Sequence, residues 1–201
     1  SHRDRGAPAR CPGPAVMTER HPVGQSLSIT ASVGSAELLE LPWHLPLEEW
    51  PEENVAALPK GISRHIVRFI HLGPHIVAIK ETTEPLAVRE YDMLKKLDRL
   101  DVPCVEPVAI VSGRTGTDGE ALPTALVTRH LRFSLPYRAL YSQTLRPDTA
   151  RRLADALAAL LVRLHIVGFF WGDVSLSNTL FRRDAGAFAA YLVDAETGEL
   201  M

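Results

Sequence analysis

Leu164-His-Ile-Val-Gly-Phe-Phe-Trp-Gly-Asp-Val-Ser-Leu-Ser-Asn178 is the stretch on which the reading of this chain turns. Upstream of it, Leu153, Leu157, Leu160, Leu161 and Leu164 recur at helical spacing behind Pro147-Asp148, a good helix start. Gly168 is the natural stop, because glycine accepts the left-handed conformation that closes a helix. Beyond Gly168 the chain has no apolar period and carries two polar residues, Asp173 and Asn178, five positions apart. Alone, that spacing is common and suits a turn or a cap.

Three further polar residues sit at the ends or edges of apolar elements. Residues 75–80 form a short apolar run that ends in Lys80. Together with the alternating run 64–72 and the Gly73-Pro74 punctuation it reads as a β-hairpin. A helix is expected from Glu84-Pro85, with Val88, Tyr91, Leu94 and Leu97 as its buried face, and Glu90 lies at the edge of that face. Residues 102–112 and 125–129 read as strands, and residues 179–181 and 190–193 as a small hairpin after which Asp194 closes Tyr191-Leu-Val-Asp. Each residue singly has a bland reading: Lys80 snorkels, Glu90 is solvated, and Asp194 ends a strand.

Taken together they are far less ordinary. A strand-end lysine, a helical glutamate, a post-helix D-x-x-x-x-N and a strand-end aspartate follow one another in the order of the protein-kinase-like fold. The expected architecture is therefore α+β with two lobes. Residues 37–131 would form a sheet-rich first lobe with one helix, and residues 132–201 an incomplete helical second lobe. In that arrangement Lys80 and Glu90 anchor nucleotide phosphates, Asp173 takes the proton of an attacking hydroxyl, and Asn178 and Asp194 hold Mg²⁺.

The stretch 164–178 resembles the catalytic loop of the lipopolysaccharide-kinase-like and RIO-like branches of that superfamily, in which L-H-x-x-G-x-x-x-G-D precedes a metal-binding Asn. From Gly61 to Glu199 the chain is similar to an actinobacterial family of lipopolysaccharide-kinase-like proteins, through Gly-Ile-Ser-Arg-His65, Arg-Glu-Tyr91, Thr-Arg-His-Leu-Arg-Phe-Ser-Leu-Pro-Tyr137 and Asp-Ala-Glu-Thr-Gly198. The resemblance implies ATP as donor and Mg²⁺ as cofactor. It leaves the acceptor open among sugar, lipid, small-molecule and protein hydroxyls. Adenine is expected against residues 127–131, with Val127, Arg129 and Leu131 as contacts.

Several features depart from the pattern. No G-x-G-x-x-G precedes the first hairpin, so the phosphate-side contacts fall to Gly61, with Ser63 and Arg64. Asp194-Ala-Glu196 stands where D-F-G is usual, and Trp171-Gly-Asp173 stands where H-R-D is usual. Both point to a site without activation-loop control. The chain runs seven residues past Asp194, so the second lobe reads as abbreviated, with a missing C-terminal region as its expected intramolecular partner. The alternative function is a catalytically inactive nucleotide-binding scaffold.

Composition bounds the rest. With 201 residues, 46% hydrophobic and 23% charged, the chain can bury a core. A net charge of -2 carries no basic field for nucleic acid. No apolar stretch is long enough to span a membrane, and none makes a signal peptide. Two cysteines, Cys11 and Cys104, make no disulfide framework, so a cytoplasmic setting is expected. Residues 1–36 read as a disordered tail, with Met17 a natural start that would make residues 1–16 upstream sequence. Residues 37–53 hold six glutamates and no lysine or arginine, and their prolines allow only short turns that pack Trp43 and Trp50 on the neighbouring domain. His165 is expected to make a buried hydrogen bond that shapes the loop after it, and Cys104 to sit in the core.

Overall fold

A computed structural model describes residues 15–20, 26–32, 36–51, 65–141 and 144–201. Its largest element is a six-stranded antiparallel sheet built from β1 (Ala15–Arg20), β2 (Ser26–Ala31), β3 (Val67–Leu72), β4 (His75–Thr82), β5 (Pro107–Ser112) and β6 (Thr124–Arg129). The spatial order is β1-β2-β5-β6-β4-β3. The hairpin read from residues 64–80 is β3–β4, with Val67 opposite Lys80.

The expectation of a disordered tail through residue 36 is corrected by β2. Leu27, Ile29 and Ala31 are buried, and β2 pairs with β5 from Ser28↔Ser112 to Ala31↔Ala109. Three alternating apolar positions are a faint signal next to four prolines, and the partner strand that stabilises them lies about 80 residues away in sequence.

One face of the sheet packs Ile29, Ile70, Val77, Ile79, Val111 and Val127 against residues 36–51. That segment forms two 3₁₀ turns, Ala36–Leu38 and Leu47–Glu49. It buries both tryptophans, whose rings meet edge to face at 5.2 Å. Each indole N–H donates to a carbonyl five residues back, Trp43 to Leu38 and Trp50 to Leu45. The expectation of short turns carrying buried tryptophans holds.

Helix α1 (Glu84–Arg99) crosses the other face. Its first half packs Ala87 and Tyr91 on Ile110 and Leu126 of the sheet. Its second half gives Met93, Leu94 and Leu97 to a separate core. The buried stripe is Ala87, Glu90, Tyr91, Met93, Leu94 and Leu97, and Val88, expected inside, is exposed. Tyr91 rather than Val88 sets the face, and its hydroxyl pairs with Ser32 Oγ at 2.5 Å.

The second core gathers α3 (Pro147–Ile166), β8 (Phe169–Trp171), β9 (Thr179–Asp184) and β10 (Ala187–Leu192). A three-stranded sheet runs β10-β9-β7, with β7 spanning Ser134–Pro136, and β11 (Gly198–Leu200) pairs with β8. The short helix α2 is Tyr137–Tyr141. Gly168 has φ +76 and ends α3 as its composition requires. Gly198 lies so close to the Phe169 ring that a Cβ there would collide with it. His165 is exposed, against the expectation of a buried hydrogen bond: Leu160 and Leu164 take the inward face, and the next residue is turned 100° away from it. Cys104 is half-buried, its thiol 3.8 Å from the Leu94 carbonyl. Among the described residues no helix is long and apolar enough to cross a membrane.

Candidate active site

Strand β4 carries two consecutive charged residues, and strand alternation sends them to opposite faces. Glu81 turns into the first core, where Arg114 meets it at 2.7 Å. Lys80 turns toward a cavity of about 400 Å³ between the large sheet and the second core. Glu90 reaches the same point from α1. It is part of the buried stripe of the helix, only 2% exposed, and it accepts a hydrogen bond from Lys80 Nζ at 2.5 Å.

Asp194 arrives from the far side. The turn after β10 is held by the Trp171 indole donating to the Asp194 carbonyl at 3.1 Å, and by the Glu196 N–H donating to Asp194 Oδ1 at 2.9 Å. That leaves Asp194 Oδ2 at 3.5 Å from Lys80 Nζ. Asn178 closes a 3₁₀ turn at Leu176–Asn178, and its backbone carbonyl accepts from Val193 N–H at 3.0 Å. Its side-chain Nδ2 donates to the Asp173 carbonyl at 3.1 Å, which leaves the amide oxygen as the end available to a cation. Asp173 itself is half-buried just ahead of that turn and is not one of the cavity-lining residues.

The structure thus brings Lys80, Glu90 and Asp194 together, and Asn178 lines the same cavity. Gly61, Ser63 and Arg64 lie outside the described residues. Of the residues expected against adenine, Arg129 borders the cavity, while Val127 is fully buried in the core on the other face of the sheet and Leu131 is not part of the wall. The alternation that takes Val127 inward presents Leu126 and Thr128 instead, and Val67, Ala78 and Leu180 complete an apolar section.

Glu196 is a further residue of the site, one that spacing alone does not single out. Its carboxylate stands 3.6 Å from Lys80 and 3.0 Å from His65 Nε2. The available signal was an acidic residue two positions after Asp194, where a glycine is usual. Glu90, Asp194 and Glu196 each place an oxygen within 4.8 Å of the others.

This crowding sets the electrostatics. Burial alone would lower the pKa of Lys80, but Glu90, Asp194 and Glu196 outweigh it and hold the ammonium above its ordinary value. Burial pushes the Glu90 carboxyl up to about 7, with Lys80 pulling against it and Asp194 and Glu196 adding to the rise. Lys80 is therefore held as a largely buried cation beside three carboxyl groups.

Comparison with known proteins places the chain in a family. The model of the lipopolysaccharide kinase (Kdo/WaaP) family matches residues 71–201, well over half of the chain. Among solved structures the chain is similar to one described as "WaaP in complex with acyl carrier protein", at 19% identity and a TM-score of 0.45, covering 77% of this chain and 68% of that one. It is also similar to "Crystal structure of BubR1 kinase domain", at 12% identity and a TM-score of 0.53, covering 98% of this chain and 53% of that one. The latter likeness is one of fold, and the chain spans about half the length of that kinase domain. No curated protein sequence matches it.

Proposed function

The chain belongs to the lipopolysaccharide kinase (Kdo/WaaP) family, a family of kinase-like phosphotransferases, and on that premise we propose that its cavity binds ATP with Mg²⁺ and passes the γ-phosphoryl group to an acceptor hydroxyl. The observation that carries this reading is the meeting of Lys80 Nζ with both Glu90 and Asp194 at the polar end of a cavity whose other section is apolar. An apolar slot bounded by Val67, Ala78 and Leu180 suits a purine, and a cation at its end suits phosphates.

The donor set also fits a hard divalent cation. Asn178 and Asp194 offer oxygen atoms, as Mg²⁺ prefers, with no sulfur or imidazole between them. Asn178 and Asp194 would hold the metal, which when bound would supply positive charge against the charge that develops in transfer. Glu90 orients Lys80 and keeps it charged, so the ammonium is fixed before the phosphates arrive. Asp173 takes the proton as the acceptor oxygen bonds to the γ-phosphorus and the bond to the β,γ-bridging oxygen breaks, releasing ADP. The acceptor hydroxyl is to be identified by screening the classes named above.

Asp173→Asn is the test. Single-turnover release of ADP from Mg-ATP, with water or a screened hydroxyl compound as acceptor, should fall about 10²–10⁴-fold. Nucleotide binding measured by calorimetry should stay within a few-fold. Equal loss of binding and turnover would remove Asp173 from the role of base. A wild-type protein whose melting temperature is unmoved by ATP, with and without Mg²⁺, would overturn the reading altogether. Metal-independent binding without turnover would favour the scaffold.

A further inference from the structure

Glu196 has no part in the chemistry above, yet like Asp194 it reaches across the cavity to the large sheet's side. Its Oε2 is shared between two side chains of the large sheet's side: His65 Nε2 at 3.0 Å and Lys80 Nζ at 3.6 Å. Only the first is within hydrogen-bond distance, so the principal bond of Glu196 is to His65. His65 lies two residues ahead of β3 and lines the cavity; Glu196 lies two residues past Asp194. The two are 131 positions apart in sequence and about a quarter exposed or less. The backbone N–H of Glu196 is meanwhile bonded to Asp194 Oδ1. One residue thus fastens the chain ahead of β3, on the phosphate side of the cavity, to the turn that presents Asp194.

We propose that His65–Glu196 is a strut between the roof and the floor of the cavity, with Glu196 a positioning residue for the donor's phosphates. In folds of this type glycines usually let the backbone ahead of the first hairpin settle onto phosphate. No such glycine run precedes β3 here. A side-chain bond across the cleft then does what backbone compliance does elsewhere: it fixes residues 65 and 66, at the entry to β3, against the turn that carries Asp194. Because Glu196 also adds negative charge beside Lys80, its removal has two opposed consequences. Loss of the strut loosens the roof, and loss of an anion frees Lys80. The 3.0 Å bond against the 3.6 Å separation makes the first the larger.

The strut rests on the nucleotide reading for its consequence, but its existence can be tested without nucleotide. Hydrogen exchange in the ligand-free protein should quicken at residues 66–70 in Glu196→Ala and in His65→Ala, with α3 unaffected. Unchanged exchange at residues 66–70 would overturn the strut whatever the protein does with ATP. With Mg-ATP, each variant should raise KM about tenfold, which corresponds to ~1.4 kcal/mol, while kcat changes less than threefold. His65→Gln, whose amide can still donate to Glu196, should recover most of the loss, and His65→Ala/Glu196→Ala should be no worse than either single change.

Three further results would overturn the proposal. Tighter nucleotide binding in Glu196→Ala would make the carboxylate a competitor for Lys80. A raised Mg²⁺ requirement in Glu196→Ala that His65→Ala does not share would make it a metal ligand. Additive losses in the double variant would mean that the two residues act separately. If the wild-type protein binds no nucleotide, the proposed function falls and the exchange measurement still decides the strut.

Discussion

Replacing Arg114 with methionine should be among the most damaging single changes in this chain. The guanidinium is 1% exposed and sits between β4 and the segment 36–51. Nη1 bonds Glu81 Oε1 at 2.7 Å and the Pro123 carbonyl at 2.8 Å, Nη2 bonds the Leu45 carbonyl at 2.7 Å, and Nε bonds the Trp43 carbonyl at 3.1 Å. The Trp43 ring lies 5.7 Å from the guanidinium carbon. Glu81 Oε1 in turn accepts from the Leu47 N–H at 3.1 Å. Removing one partner of a buried pair costs about 3–5 kcal/mol, because the other charge is left without compensation. Three carbonyls lose a donor as well, each about 1 kcal/mol before water recovers part of it. We take about 5 kcal/mol for the whole. At about 2–4 °C per kcal/mol for a domain of this size, the melting temperature should drop by roughly 10–20 °C.

Calorimetric melts of the variant against wild type, with hydrogen exchange over residues 36–51, would measure this. That segment should detach first, since Arg114 is among its polar fastenings to the sheet, beside Glu81, which bonds the Leu47 N–H, and Arg68, which bonds the Leu47 and Glu48 carbonyls. The double change Arg114→Met/Glu81→Leu separates the causes. Two apolar side chains leave no stranded charge, so the double variant should be more stable than Arg114→Met alone. A loss under about 1 kcal/mol in Arg114→Met, set against that 3–5 kcal/mol scale, would refute the reasoning, as would a double variant no better than the single one.

Two further expectations are simpler to check. Glu90 is raised to about 7 from an ordinary 4.5, so between those values the folded protein holds a proton that the unfolded chain has released. Its contribution to stability therefore falls as pH rises through that window, whereas activity, which needs the ionised Glu90 beside Lys80, should rise toward and above pH 7. Melting curves and turnover from pH 5 to 8 should show these opposite slopes, both flattened in Glu90→Gln; parallel slopes would contradict the assignment. Burial, with Asp98 adding to it, pushes the Cys104 thiol up to about 12 from an ordinary 9. In a Cys11→Ser background at pH 8 it should react with a thiol reagent on the order of a thousandfold more slowly than free cysteine. Labelling of the native protein at the free-thiol rate would disprove this.

Periodicity made some of this molecule legible and hid the rest. Helices α1 and α3 and the hairpin β3–β4 were readable because their signals lie within one or two turns of chain. Val88 and His165 were misjudged for the same reason: a periodic stripe does not say which edge of it the neighbouring element covers. Strand β2 was missed because its apolar alternation is short and its partner, β5, is remote. Arg114 was invisible as a buried group, since nothing in a Gly/Thr-rich loop announces that Glu81 and three carbonyls will converge on it.

The order Lys80, Glu90, Asp173, Asn178, Asp194 is a property of the sequence, and with it came the fold class and the kinase-like reading. Local rules suffice there: a lysine at the end of a strand and a glutamate on a helix face have only so many places to go. Which groups meet is a tertiary matter. Lys80 lies 10 residues from Glu90 but 114 from Asp194, and His65 lies 131 from Glu196. Contacts over such separations exist only after two cores have packed against a shared helix. Alternation along β4 then places one buried ion pair on each side of the strand, Glu81 with Arg114 behind it and Lys80 with Glu90 before it. Sequence spacing shows that the two residues face apart, and only the folded chain supplies the opposite charge that lets each be buried.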